Sequence, residues 1–310
     1  MLARLSVVVF NTYREAVRAR ILLGLFGLAL ATAAYTLVVG EYAHKDATRI
    51  ISNVGGFSIS IYSVIVAVVM GATSLYREIE LKTVFPILAR PIRRSEYLVG
   101  KFLGTVATLA VFIVANAGVL LLCLHFMSSG HSLVPLGVFA TSVLPFLALA
   151  IKLPATRTWL PIVWALTVFA CGLVLAESAP GDRRVLLASA LLSLFEVSII
   201  TALATLFSSF STPFMTAIFT VGVFLVGRSA DTLARLPPRV FGQAIADMGA
   251  ALAKVFPNLM VYVPPRPLLL GESVDVLLGE YLALAGLQAF GWCAGVLVCA
   301  ALLFARRDFV

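Results

Sequence analysis

One carboxylate stands inside an apolar run. Glu196 lies in Leu-Leu-Ser-Leu-Phe-Glu-Val-Ser-Ile-Ile, residues 191–200. A carboxylate buried in a membrane is expensive and pairs with a basic group or faces a watery cavity. It lies 11 residues beyond Val185, where the apolar run begins. At about 1.5 Å rise per residue that places it near mid-membrane. Two roles fit: a clamp between helices, or part of a substrate cavity. The plainer alternative is a carboxylate reaching outward to water or to Arg183 and Arg184. Asn116, in another apolar run, can bond a neighbouring helix or touch a substrate. Gly291 and Gly295 form a GxxxG pair, as do Gly100 and Gly104. Such pairs let helices approach closely, and they also arise by chance in glycine-bearing membrane helices.

The densest group of charges runs from Tyr76 to Lys101, YREIELKTVFPILARPIRRSEYLVGK, with three acidic and six basic residues. Leu81, Val84, Phe85 and Leu88 recur at i, i+3, i+4 and i+7, which predicts a short helix with one apolar face. Pro86 kinks that helix or marks its start. Pro91 ends it, because a residue before proline avoids helical geometry. Among bare charge runs, a solvated loop is the ordinary interpretation.

Catalytic patterns are missing from the sequence. There is no H-E-x-x-H for a zinc protease and no aspartate-rich pair for metal-bound pyrophosphate. Gly100-Lys101 is not a phosphate-binding loop. That motif needs G-x-x-x-x-G-K-[ST], and Ser95 and Phe102 occupy its first and last positions. The four cysteines all sit in apolar runs without a CxxC, and read as small core hydrophobes. The three histidines have no metal-ligand spacing. A membrane-embedded enzyme would therefore have almost no acid–base candidates.

The elements that carry these residues are membrane spans. The chain of 310 residues is 61% hydrophobic and only 12% charged. Soluble domains carry about 25% charged residues, so too little polar surface exists here to cover a soluble globule. The net charge of +8 is spread between apolar runs rather than gathered in one patch, which argues against nucleic acid. We expect an all-α, polytopic helical bundle of about eight spans: 21–42, 56–75, 99–127, 134–151, 158–176, 185–207, 214–227 and 281–305. The fourth and fifth, joined by Lys152-Leu-Pro-Ala-Thr-Arg157, are the least secure and can instead form a re-entrant hairpin. With the N-terminus inside, 14 of the 23 Lys and Arg fall on inner segments, including Arg14, Arg77, Arg90, Arg93, Arg94 and Lys101. That bias places both termini and the charged block in the cytoplasm. Residues 1–20 should form an amphipathic interfacial helix, with Leu5, Val9, Tyr13 and Ala16 on one face and arginines at anionic headgroups. In the outer segment 230–280, Ile245, Met248, Leu252 and Val255 predict a second amphipathic helix on the outer leaflet or capping the bundle.

At three places the chain resembles the permease subunits of ABC-2 type transporters. These are Asn11-Thr-Tyr-Arg-Glu-Ala-Val-Arg-Ala-Arg20 before the first span, the block Arg77-Glu-Ile-Glu…Thr83…Arg90-Pro-Ile-Arg-Arg…Glu96-Tyr…Gly100-Lys101, and Phe304-Ala-Arg-Arg-Asp-Phe309 after the last span. Phe256-Pro-Asn-Leu259 also fits. The resemblance does not extend to 134–176, and the usual family unit has six spans, so that pair looks like an insertion. Pro86 departs from the common pattern.

The resemblance implies that region 77–98 holds a coupling helix for a separate ABC ATPase, through Glu78, Glu80, Leu81, Thr83, Val84, Phe85, Leu88, Arg90, Pro91, Arg93 and Arg94. It implies a transport subunit with no catalysis or cofactor of its own, ATP and Mg lying on the partner. It further implies a second permease subunit, and an exporter of an unidentified substrate in a bacterial inner membrane. A membrane-embedded enzyme and a non-catalytic anchor or sensor are the competing classes, and copurification of an ATPase separates them from a transporter.

Overall fold

The structure is a computed structural model that describes residues 2–18, 20–80, 94–152, 154–272 and 277–305. All regular structure among these residues is helical, with no strand. The principal helices are α1 (Leu2–Arg18), α2 (Arg20–Ala43), α3 (Ala47–Glu80), α4 (Arg94–Ser128), α5 (Val134–Lys152), α6 (Leu160–Leu175), α7 (Pro180–Ser208), α8 (Pro213–Arg228), α9 (Gln243–Val255) and α10 (Leu278–Ala305). Six of the described helices are long and apolar enough to cross a membrane: α2, α3, α4, α6 (counted to Ser178), α7 and α10. α8 is shorter, with 16 residues, and α5 has 19. The expected weak pair was the fourth and fifth spans. Of these the fifth has spanning length, while the seventh, on α8, falls short.

α3, α4 and α7 form the centre, with the other spans packed around them. Glycine sets how closely the axes approach. A Cβ added at Gly71 of α3 would lie 2.3 Å from the Ala204 side chain of α7. A Cβ added at Gly118 of α4 would lie 2.7 Å from Phe169 N of α6, and one added at Gly172 of α6 would lie 2.8 Å from Gly118 O. Small residues substitute here for a hydrophobic drive that lipid does not supply.

Contacts at the helix ends fix the direction of travel. Ser178 bonds His125 and Ser128, so the end of α6 meets the end of α4. At the opposite end, Trp159 before α6 packs against Phe10 of α1 in a tilted pair, ring centres 4.9 Å apart. α5 therefore carries the chain from one end of the bundle to the other. Phe304, near the end of α10, stacks on Tyr97 in the first turn of α4. α1 lies along that same opening, with Val8 and Thr12 against Gly100 and Gly104. The N-terminal helix, the start of α4 and the end of α10 thus gather at one end.

Three details depart from expectation. α3 begins at Ala47 rather than 56, because its first turns keep polar side chains bonded: Ser52 donates to Asp182 of α7, and Arg266 donates to Ser52 and Asn53. The apolar stripe of α9 points away from the chain, with Ile245, Met248 and Val255 exposed, while Ala246 and Gly249 make the packed face. Residues 257–262 are also not a simple outer loop. Leu259 and Tyr262 are buried, the Leu259 N–H donates to Gly227 O at 3.0 Å, and Tyr262 reaches Ala285 O of α10.

Candidate functional site

The described structure brings its polar chemistry together where α3, α7 and α8 meet. Glu196 is the seventeenth of 29 residues of α7 and is fully buried. Ser60 stands midway along the apolar part of α3, Ala47–Thr73, and is also buried. Arg228 is the last residue of α8. That helix has 16 residues, or about 24 Å at 1.5 Å per residue, less than the roughly 30 Å of a bilayer core. Its end therefore falls inside the bundle, and its terminal arginine is placed beside the mid-helix carboxylate.

The pairing is two-pronged. Arg228 Nε donates to Glu196 Oε1 at 2.7 Å, and Nη2 donates to Oε2 at 2.8 Å. Ser60 Oγ donates to Oε2 at 2.9 Å and accepts from Arg228 Nη2 at 2.6 Å. The planar guanidinium matches a carboxylate in this fork geometry, which a lysine could not reproduce. Phe224, one turn earlier on α8, carries the arginine over its ring at 5.5 Å. Gly227 is as constrained as its neighbour: an added Cβ would meet Pro257 O at 2.7 Å. The backbone of 257–259 therefore closes over the end of α8.

This arrangement joins three helices by charge-paired hydrogen bonds. Of the two roles read for Glu196, the geometry is that of the clamp. The outward partners considered for it are engaged elsewhere: Arg183 donates to Leu173 O and Arg184 to Leu270 O. Sequence reasoning counted Arg228 among the outer charges and so missed the partner. The available signal was the length of its run, since an apolar stretch of 14 residues, 214–227, leaves the next residue still within the membrane. Ser60 gave no signal at all.

The other named residues fall elsewhere. Asn116 is buried in α4, and its Nδ2 has no hydrogen-bond partner among the described residues. It does not join the cluster. Among the described residues Gly291 and Gly295 meet nothing within 4 Å of an added Cβ, whereas Gly100 and Gly104 meet α1. Leu81 to Arg93, with Thr83, Val84, Phe85, Leu88, Arg90 and Pro91, lie outside the described residues. Glu78 and Glu80 fall in the last turn of α3, and Arg94 opens α4. No group of three His, Cys, Asp or Glu able to hold a metal occurs among the described residues. No protein-family model and no curated protein matches this chain. Its function has to be argued from its own residues.

Proposed function

We propose that the chain is the transmembrane permease subunit of an ATP-driven transporter of the ABC-2 type, exporting an unidentified substrate across a bacterial inner membrane. The reading rests first on the resemblance of the opening segment, the charged block and the ending. The structural observation that supports it is the hairpin that carries the block. α3 has 34 residues and α4 has 35, about 50 Å each. Both exceed the roughly 30 Å hydrocarbon core. The uncharged run of α3 ends at Tyr76, and the helix continues through Arg77 to Glu80, directly before residues 81–93. Such a hairpin can hold a short amphipathic helix clear of the membrane, where a soluble ATPase can grip it.

The same end of the bundle supplies a route for force. Lys101, two turns into α4, is buried and bonds Glu15 of α1 at 3.3 Å. With Gly100 and Gly104 against α1, a pull on the block would move α1, α3 and α4 together. The Glu196–Arg228–Ser60 cluster would pass that movement from α3 to α7 and α8. In this reading the N-terminus, the block and the C-terminus are cytoplasmic, α5 and α8 complete eight crossings, and two permeases work with two ATPases. ATP binding would close the ATPases and rearrange the spans around a central path.

The test is affinity purification of the tagged chain in mild detergent from its native host. The reading expects a P-loop ATPase to copurify in near-stoichiometric amount, with Mg-dependent ATP hydrolysis. A preparation that holds its fold but brings no ATPase would favour an anchor or sensor.

A further inference from the structure

A groove lies at the end of the bundle that carries α1. It has a volume of about 580 Å³ and opens to the outside. Leu5, Val9 and Phe10 of α1, Ala107 and Val111 of α4, and Ile162 of α6 form walls that are almost wholly apolar. That volume is within the range of small-molecule sites. At its mouth Phe10 lies between Trp159, 4.9 Å away, and the Arg14 guanidinium, 6.0 Å from its ring centre. Trp159 is exposed, and exposed tryptophans of membrane proteins sit at headgroup level.

Two further observations point to the occupant. The first is Tyr13, another wall residue. It is 4% exposed, and its hydroxyl has no hydrogen-bond partner among the described residues. Burial pushes that hydroxyl up to about 12. A buried donor without a partner is costly, so an acceptor from a ligand would be rewarded here. The second is the rim. Arg14, beside Phe10, and Arg157, two residues before Trp159, are both exposed and basic. The nearest acid on α1, Glu15, is taken by Lys101. Apolar walls below a basic rim complement an acyl chain below a phosphate.

We propose that the α1–α4–α6 groove binds one anionic phospholipid, its acyl chain along Val9, Ala107 and Ile162 and its headgroup phosphate at Arg14 and Arg157. The Tyr13 hydroxyl would donate to an oxygen of the glycerol ester region. The bound lipid would hold α1 onto α4 and α6. This site is independent of the transporter reading and needs only that the chain sit in a membrane.

The experiment is native mass spectrometry of the full chain from nanodiscs of equal phosphatidylglycerol and phosphatidylcholine. Wild type should retain one phosphatidylglycerol with roughly a fivefold or greater excess over phosphatidylcholine, since each nearby basic group contributes about that factor. Ala107→Trp, at an exposed groove position, should fill the groove and remove the retained lipid. Arg14→Gln with Arg157→Gln should bring the two lipids to equal retention. Tyr13→Phe, which keeps the ring, should lower retention of both. Equal retention by wild type overturns the proposal. So does a phosphatidylglycerol excess that survives Ala107→Trp. If that variant does not fold, unchanged selectivity in the arginine variant together with unchanged retention in Tyr13→Phe overturns it equally.

Discussion

At the scale of single residues, Glu196 and Arg228 form one unit. Removing one partner of a buried pair leaves the other charge uncompensated, at a cost of about 3–5 kcal/mol. Glu196→Ala and Arg228→Ala should therefore each destabilise strongly, while Glu196→Gln, which keeps the shape and some bonds, should cost less. The double change to alanine should cost clearly less than the sum of the two singles. Thermal unfolding of wild type and these four variants in one detergent tests this, and strict additivity would mean that the two side chains act independently. The carboxylate was legible in the sequence because a lone charge in an apolar run has few physical outcomes. Its partner was not, because an arginine after an apolar run usually marks the membrane edge. Ser60 was illegible for another reason. Serines in these helices often bond their own backbone, as Ser58 does with Gly55 O and Ser63 with Ile59 O. Nothing in the sequence distinguishes the one that reaches across.

Between elements, contact is decided by what stands opposite a residue rather than by its motif. Gly100-x-x-x-Gly104 and Gly291-x-x-x-Gly295 are written alike, yet among the described residues only the first receives another helix. An added Cβ at Gly104 would lie 2.6 Å from Thr12 Cβ and 2.7 Å from Val9 O. Gly104→Val should therefore push α1 off α4. Gly291→Val, with open space around it, should leave the single chain unaffected. Protease accessibility of α1 in the two variants separates them, and equal behaviour would mean that α1 is not held at this glycine face. Helix existence was legible throughout: each apolar run of the sequence is helical in the structure. Helix ends were less so. α3 starts nine residues early because distant Asp182 and Arg266 bond its polar first turns, a reason that no local pattern contains. The stripe of α9 was read correctly as helical, but periodicity alone could not say whether it faces the bundle or the surroundings.

For the whole molecule, the cluster sharpens the charge argument for orientation. With Arg228 inside the bundle, 14 of the Lys and Arg remain on the inner segments of the eight-span reading and eight on the outer ones. Reporters at Met1 and Val310 should both read cytoplasmic, and a tag within Arg239 to Lys254 should be reachable from outside. An external C-terminus would contradict the topology. The central claim is that the block between α3 and α4 is where an ATPase grips this chain. Phe85 is the only large aromatic on the apolar face expected for Leu81–Pro91. Interface energy concentrates in a few buried side chains, often about 2 kcal/mol or more each, which corresponds to roughly 30-fold in affinity. Rim charges such as Arg93 act mainly on association rate and salt dependence. The decisive measurement is capture of the ATPase by wild type, Phe85→Ala and Arg93→Ala in nanodiscs, with ATP-driven transport followed alongside. The account predicts that Phe85→Ala stays inserted and folded, loses most of its ATPase and stops transporting, while Arg93→Ala keeps both with greater salt sensitivity. A Phe85→Ala variant that holds its ATPase as tightly as wild type and transports normally would contradict it.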